Sequence, residues 1–137
     1  MNNKITASIH FCFKGQHHTP SIELDLDEPM KSAGHLPDFY SMIARANGYD
    51  MYSYEYEMMQ AEDIQFSQAQ GMVADFLLDG RLDIPAFEKA WRENRLQEQL
   101  QQIATRHLAI DDLQQHKDLA AALVEAYKLG AGDRGNI

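Results

Sequence analysis

The feature that most constrains this chain is a single helical stretch, residues 84–109, whose apolar side changes face partway along. Its first half carries an apolar stripe formed by Ile84, Phe87, Ala90 and Trp91. Its second half carries a stripe formed by Leu96, Leu100, Ile103 and His107, which at about 100° per residue points roughly opposite to Trp91. Because neither Gly nor Pro separates the stripes, one helix must bury two opposed faces against different neighbours. We expect the first stripe to pack on the N-terminal part of the chain. The second should pack on the last helix, on a second copy of the chain, or on both.

Alternating residues near the N-terminus predict two strands. Apolar and polar side chains alternate over residues 5–13 and again over residues 21–27, as in strands with one buried face. The segment between them, residues 14–20, contains Gly and Pro and predicts a loop. The two strands should form an antiparallel hairpin in which Phe11 lies opposite Leu24.

The middle of the chain predicts a loop, a helix and a third strand. Residues 28–36 contain a Pro and a Gly and are predicted as a loop. Residues 39–46 predict a short amphipathic helix that an Asn-Gly pair ends. Residues 51–58 alternate again and predict a third strand beside the first, after this crossover helix. Ile64 and Phe66 either extend that strand or form a short fourth one.

The C-terminal half predicts further helices. A hydroxyl and an amide three residues apart have the spacing of a capping box and predict a helix over residues 67–79. Gly71 would cost that helix about 1 kcal/mol relative to Ala, which suggests close packing at this position. A last helix is predicted over residues 113–129, and residues 131–137 are expected to form a frayed tail.

Together these elements predict an α+β fold. The sheet is small and mostly antiparallel, a β-hairpin plus a third strand after a crossover helix, and a C-terminal set of about three helices accompanies it. A length of 137 residues fits a single domain. Within it, residues 1–66 would form the ββαβ part and residues 67–130 the helical part.

Charge is unevenly distributed along the chain. The net charge is −9, and residues 21–66 alone hold ten acidic side chains against two basic ones. Such a surface repels phosphates, which argues against binding to nucleic acid or to an anionic membrane. It permits a basic protein partner.

Cysteine usage and hydropathy bear on the compartment. Cys12 is the single cysteine and cannot close an internal disulfide, which favours a reducing compartment. The N-terminus lacks the apolar core of a signal peptide, and the longest apolar run, residues 119–124, is too short to span a bilayer. We therefore expect a cytoplasmic protein without membrane contact.

Metal-ligating residue types gather near the N-terminus. The candidates are His10, Cys12, His17 and His18. The predicted hairpin register adds Asp25 opposite His10 and Glu23 opposite Cys12, so thiolate, imidazole and carboxylate could together hold zinc. A neighbouring histidine could also activate Cys12 as a nucleophile. The alternative is a solvated strand face with a His–Asp pair and an inert thiol, and because no recognised ligand spacing is present, no cofactor is predicted.

Two other sets of residues allow a functional interpretation. Tyr52, Tyr54 and Tyr56 share one face of the predicted third strand. They could form a stacking platform, although the core side of the strand is favoured because the alternate residues are polar. His107 could act as a pH switch in a subunit interface, or be a hydrogen-bonded histidine at the edge of a helix pair.

The sequence leaves two classes of function. Catalytic and phosphate-binding motifs are absent, which favours a non-catalytic, acidic interaction or regulatory protein. Such a protein would be a homodimer through Leu96, Leu100, Ile103 and His107, with a basic protein partner. A narrower version is an acidic mimic of nucleic acid. The alternative is a small metal- or thiol-dependent enzyme that uses the outer face of the N-terminal hairpin.

Overall fold

The computed structural model describes residues 2–135 and has the α+β class that the sequence predicts. The described residues contain strands β1 (Lys4–Ser8), β2 (Phe11–Phe13), β3 (Gln16–His18), β4 (Ser21–Asp25), β5 (Gln65–Gln70), β6 (Leu77–Leu78) and β7 (Arg81–Leu82). They also contain helices α1 (Asp27–Ala33), α2 (Phe39–Ala46), α3 (Tyr54–Gln60), α4 (Ile84–Leu108) and α5 (Lys117–Gly135). The chain divides into two compact units, Met1–Trp91 and Arg92–Ile137, and the boundary lies within α4.

The main sheet of the first unit has three antiparallel strands in the order β4-β1-β5. The predicted alternation is present, because Ile5 and Ala7 are fully buried while Lys4 in the same strand is exposed. The expectation of a hairpin with a third strand beside the first is therefore confirmed. The third strand is β5, so the prediction that residues 51–58 form it is wrong.

The strand pairs β1–β4 and β2–β3 share one antiparallel register. Ile5 lies opposite Leu24 in the first pair of strands, and Phe11 lies opposite His18 in the second. The chain between them is irregular at Ile9 and His10, where Ile9 N–H donates to the carbonyl of Pro20 over 3.1 Å. The predicted pairing of Phe11 with Leu24, and with it a loop over residues 14–20, is wrong.

The tight turn at the end of this hairpin explains the difference in register. Lys14 and Gly15 connect β2 to β3 and have φ angles of 51° and 77°. Two consecutive residues with positive φ are typical of a type I′ turn, whose twist matches that of the flanking strands. Strand pairing therefore continues up to Phe13 and Gln16, the residues that flank the turn. Residues 16–18 form a strand as a result.

The segment after β4 contains a helix where a loop was predicted. Helix α1 covers Asp27–Ala33 and ends at Gly34, whose φ of 79° is the left-handed conformation common after helices. Pro29 lies in the first turn of α1, where its missing N–H is tolerated. Helix α2 is confirmed, and the Asp38 side chain caps it by accepting a hydrogen bond from Tyr40 N–H over 3.1 Å.

The tyrosine-rich segment is helical rather than extended. Helix α3 begins after Ser53, whose hydroxyl accepts a hydrogen bond from the N–H of Tyr56. Tyr56 and Met59 are buried at helical spacing, whereas Tyr54 is 75% exposed and Tyr52 is fully exposed. The three tyrosines therefore share no face, and their predicted positions on the core side of a strand are wrong for Tyr52 and Tyr54.

Residues 67–79 also differ from the prediction of a helix. The start of this segment belongs to β5, and it continues through a 3₁₀ turn, Met72–Phe76, into the β6–β7 hairpin. Gly71 has a φ of 87°, and a Cβ at this position would lie 2.5 Å from the carbonyl oxygen of Asn2. The close packing predicted at Gly71 is present, although the residue ends a strand.

Helix α4 is continuous, as predicted, and its two stripes enter two different cores. Asp83 caps it by accepting a hydrogen bond from Ala86 N–H. Phe87 and Trp91 are buried in the core of the first unit. Leu100 is buried in the core of the second unit, together with Leu113 and the partly buried residues Leu96, Leu119, Ala120, Leu123 and Val124. Leu96 and Leu100 of the second stripe thus pack with residues of the last helix, one of the alternatives that the sequence left open, whereas Ile103 and His107 are exposed.

The last helix is displaced from its predicted position. A separate 3₁₀ turn, Leu113–Gln115, precedes it, and α5 covers Lys117–Gly135. The predicted end at residue 129 is wrong, because the helix continues through Gly130 and Gly132. Residues 136 and 137 of the predicted tail lie outside the described residues.

A buried polar network joins four parts of the first unit. The Asp27 carboxylate accepts hydrogen bonds from the backbone and side-chain N–H groups of Asn3 and from the indole N–H of Trp91, each over 2.9 Å. The amide oxygen of Asn3 accepts a hydrogen bond from Val73 N–H over 3.0 Å. Asn3 and Asp27 are both buried, so these bonds replace the hydration that the two side chains lose on folding.

Candidate metal centre

Three of the four predicted metal ligands converge on the outer face of the hairpin. Cys12 lies in the middle of β2 and is paired with His17 in the middle of β3. His10 precedes Cys12 by two residues, so its side chain points to the same face. All three side chains are exposed, whereas Phe11 between two of them is buried.

The distances between their donor atoms suit a common ligand. Nδ1 of His17 lies 3.2 Å from Sγ of Cys12 and 3.2 Å from Nε2 of His10. The donor atoms of the three residues all lie within 4.8 Å of one another. In a tetrahedral zinc site, with Zn–N about 2.1 Å and Zn–S about 2.3 Å, neighbouring donors are about 3.3–3.6 Å apart. Small side-chain shifts would therefore allow His10, Cys12 and His17 to bind one ion together.

Three protein ligands would leave one position of a tetrahedral ion open. Within the part of the chain that the structure describes, no carboxylate oxygen comes within the same distance of all three donors. The predicted pairs His10–Asp25 and Cys12–Glu23 are wrong, because Asp25 lies opposite Lys4 and Glu23 lies opposite Thr6. An open position accepts water or an exogenous ligand, as in catalytic and exchangeable sites.

His18, the fourth candidate, faces another part of the protein. Its ring stacks on Phe11 with the centroids 4.9 Å apart, and its Nδ1 lies 3.1 Å from the Tyr49 hydroxyl. Burial and the nearby charge of Glu55 raise the pKa of Tyr49, so the hydroxyl stays protonated and can donate to His18. His18 therefore supports the inner side of the hairpin and does not join the cluster.

Part of the cluster faces a cleft that the sequence did not predict. His10 and Cys12 line this cleft of about 520 Å³ together with Met58 of α3 and with Glu62, Asp63 and Gln65, which follow α3. Helix α3 packs against β2, which brings these residues to the hairpin. Met58 was missed because residues 51–58 were predicted as a strand, in which Met58 shares a face with the tyrosines.

The other predicted site residues are spread over separate environments. Tyr52 and Tyr54 are exposed while Tyr56 is buried, so the three do not form one aromatic surface. Of the predicted interface, Leu96 and Leu100 pack within the second unit. Ile103 is 41% exposed, and His107 is also exposed.

Comparisons with protein-family models, with curated proteins and with solved structures found no match for this chain. Among the described residues, none of the helices combines the length and the apolar character that crossing a bilayer requires.

Proposed function

We propose that this protein binds a transition-metal ion through His10, Cys12 and His17. The observation that supports the proposal is the convergence of one thiol and two imidazole groups at the β2–β3 hairpin, where His17 Nδ1 lies 3.2 Å from both Cys12 Sγ and His10 Nε2. Sulfur and imidazole nitrogen are ligands that zinc and its soft or borderline neighbours prefer. Because all three side chains are exposed and two of them, His10 and Cys12, line a cleft, the bound ion would be accessible to a small molecule or to a partner protein.

The test uses Co²⁺ as a spectroscopic probe on the full chain, prepared without a histidine tag. Tetrahedral Co²⁺ bound to a thiolate gives intense visible d–d bands and a sulfur-to-cobalt charge-transfer band. We expect one Co²⁺ per chain, with displacement by Zn²⁺. Cys12→Ser should abolish the charge-transfer band, and His17→Ala should weaken binding by at least about tenfold.

His18→Ala is the matched control, because this histidine lies next to His17 in β3 but faces Tyr49. It should keep the stoichiometry and the charge-transfer band. Circular dichroism of each variant separates loss of ligand from loss of fold. Absence of stoichiometric binding, or a Cys12→Ser variant with the wild-type cobalt spectrum, would refute the proposal.

A second proposal, the non-catalytic homodimer, concerns the helical unit. It is favoured by large apolar side chains that its helices leave in solvent: Ile103 at 41% exposed, Leu108 and Tyr127 at 53%, and Leu129 at 69%. A second copy of the chain that covered some of these side chains would remove their apolar surface from water. We propose that a second copy of this chain covers these side chains. The acidic composition of residues 21–66 would also allow the protein to bind a basic protein partner.

Sedimentation equilibrium tests the homodimer. Wild-type protein should sediment as a dimer at micromolar concentrations, and Ile103→Asp should convert it to a folded monomer. Gln102→Asp places the same charge on an exposed neighbouring position and should leave the dimer intact. A wild-type monomer under these conditions would overturn the dimer. Leu100→Asp is unsuitable for this test, since Leu100 is buried within the unit.

A further inference from the structure

We infer that the ion taken by the cluster of His10, Cys12 and His17 is Cu⁺, and that the thioether of Met58 supplies a further ligand. This inference rests on the proposed metal-binding function and names its metal. The choice of metal depends on three features: the donor set of the cluster, the position of Met58 in the cleft, and the absence of a described carboxylate from the group of donors that lie within 4.8 Å of one another.

The donor set by itself is shared by zinc and copper. Two imidazoles and one thiolate bind either metal, so these groups alone leave the choice to the fourth ligand. An oxygen ligand favours Zn²⁺, whereas a thioether favours Cu⁺, because thioether sulfur is soft and binds Zn²⁺ weakly. Two histidines, one cysteine and one methionine together are a copper-type donor set.

Met58 is the residue with a soft donor atom in the cleft beside two of the three donors. It lies on α3, which packs against β2, and it lines the same cleft as His10 and Cys12. Its neighbour Met59 is fully buried in the core, whereas Met58 is 44% exposed, so the two methionines point in different directions. With three rotatable side-chain bonds and a free outer surface, Met58 can move its sulfur towards the cluster without disturbing the core.

Two carboxylates also line the cleft. Glu62 and Asp63 line the cleft, but neither belongs to the group of donors that lie within 4.8 Å of one another. Both are exposed and can remain hydrated. Their negative charge attracts cations to the cleft without selecting between them. Binding of Cu⁺ would release the Cys12 thiol proton to solvent and leave the oxidation state of the metal unchanged.

The experiment compares Cu⁺ and Zn²⁺ affinities of the full-length protein under anaerobic conditions. Cu⁺ is measured by competition with bathocuproine disulfonate and Zn²⁺ by competition with a chromophoric zinc chelator. Met58→Leu keeps the volume of the side chain and removes its sulfur. We expect this variant to bind Cu⁺ at least about tenfold more weakly and Zn²⁺ within about twofold of the wild type.

Met51→Leu is the matched control. Met51 is another exposed methionine, at 37%, but it does not line the cleft, and its replacement should change neither affinity. X-ray absorption at the copper edge provides a second readout that is independent of affinity. It should detect two sulfur ligands in the wild type and one in Met58→Leu.

The outcomes separate this inference from the proposed function. If neither metal binds, the proposed function fails and this inference fails with it. If Zn²⁺ and Cu⁺ bind to His10, Cys12 and His17 but Met58→Leu binds Cu⁺ as tightly as the wild type, only the assignment of Met58 and Cu⁺ is overturned. A single copper–sulfur contact in the wild type would overturn it equally, even if the variant lost affinity for both metals.

Discussion

At the scale of single residues, Asp27 links acidity to stability. Burial raises the pKa of its carboxyl group, but hydrogen bonds from Asn3 and Trp91 outweigh the burial and hold the pKa below its usual value. The ionised carboxylate therefore stabilises the folded chain at pH values above its unfolded-state pKa of about 3.9. That stabilisation is lost as the pH falls through the lower folded-state pKa.

Asp27→Asn should lower the free energy of unfolding by about 2 kcal/mol at pH 7, because an amide presents two hydrogens to donors that need an acceptor. The difference between variant and wild type should shrink below about pH 4, where the wild-type carboxyl becomes protonated. Urea unfolding monitored at pH 7, 5 and 3 measures it. A difference that stays constant over this range would show that the charge of Asp27 is not the cause.

Gly71 is a second residue at which a substitution should lower stability. Its φ of 87° disfavours any L side chain, and a Cβ would also meet the Asn2 carbonyl and the Asn3 amide oxygen. Gly71→Ala should therefore destabilise the fold by about 2 kcal/mol or more.

Gly130→Ala is the control for this substitution. Gly130 lies within α5, and no atom outside its own helical turn lies within 4 Å of the place that a methyl group would take. The change should therefore stabilise that helix by about 0.5–1 kcal/mol. Thermal unfolding of both variants supplies the comparison. Equal effects of the two substitutions would contradict the role given to the close approach of Asn2.

At the scale of elements, the β2–β3 hairpin determines whether the metal ligands meet. His17 lies opposite Cys12 only because Lys14 and Gly15 form a two-residue turn. Asn-Gly is the preferred sequence for a turn with this geometry, since Asn tolerates positive φ better than Lys.

Lys14→Asn should stabilise the protein by about 0.5 kcal/mol and keep or strengthen metal binding. Gly15→Val should cost about 1 kcal/mol or more and weaken metal binding, because a β-branched residue resists the φ of 77°. Co²⁺ titration together with thermal unfolding checks both variants. Unchanged cobalt affinity in a folded Gly15→Val variant would show that the turn does not control the ligand geometry.

The elements also show what the sequence could predict and what it could not. Alternation identified the buried face of β1 correctly, because Ile5 and Ala7 are fully buried. The predicted register of the hairpin was wrong because a loop over residues 14–20 was predicted in place of the two-residue turn. The strand prediction for residues 52–58 was wrong. Alternating tyrosines suit a strand locally, but Tyr56 and Met59 are buried together at helical spacing. The same error concealed Met58. Strand alternation could therefore place His10 and Cys12 on one face, whereas the position of His17, in the predicted loop, and the helical side of the site could not be predicted.

At the scale of the whole molecule, the two stripes of α4 belong to two cores. Trp91 is buried in the first, Leu100 in the second, and the boundary between the units falls just after Trp91. The sequence predicted that the stripes need different neighbours, because a continuous helix cannot turn both towards one core. Each unit therefore loses its own apolar contacts when it unfolds. The two units need not unfold in a single cooperative transition.

The position of the chain's one tryptophan makes this separation measurable. Fluorescence of Trp91 reports on the first unit alone, whereas far-UV circular dichroism reports on all helices, including α5 in the second unit. Leu100→Asp buries an unpaired carboxylate against Leu113 and should cost the second unit at least about 3 kcal/mol. We expect the helical signal to fall or melt early while the Trp91 transition in urea stays near its wild-type midpoint. Gln99→Asp, at an exposed position one residue away, should leave both signals unchanged. If Leu100→Asp instead shifts both transitions together, the two cores unfold as one cooperative unit, and α4 transmits the loss of its second stripe to the first.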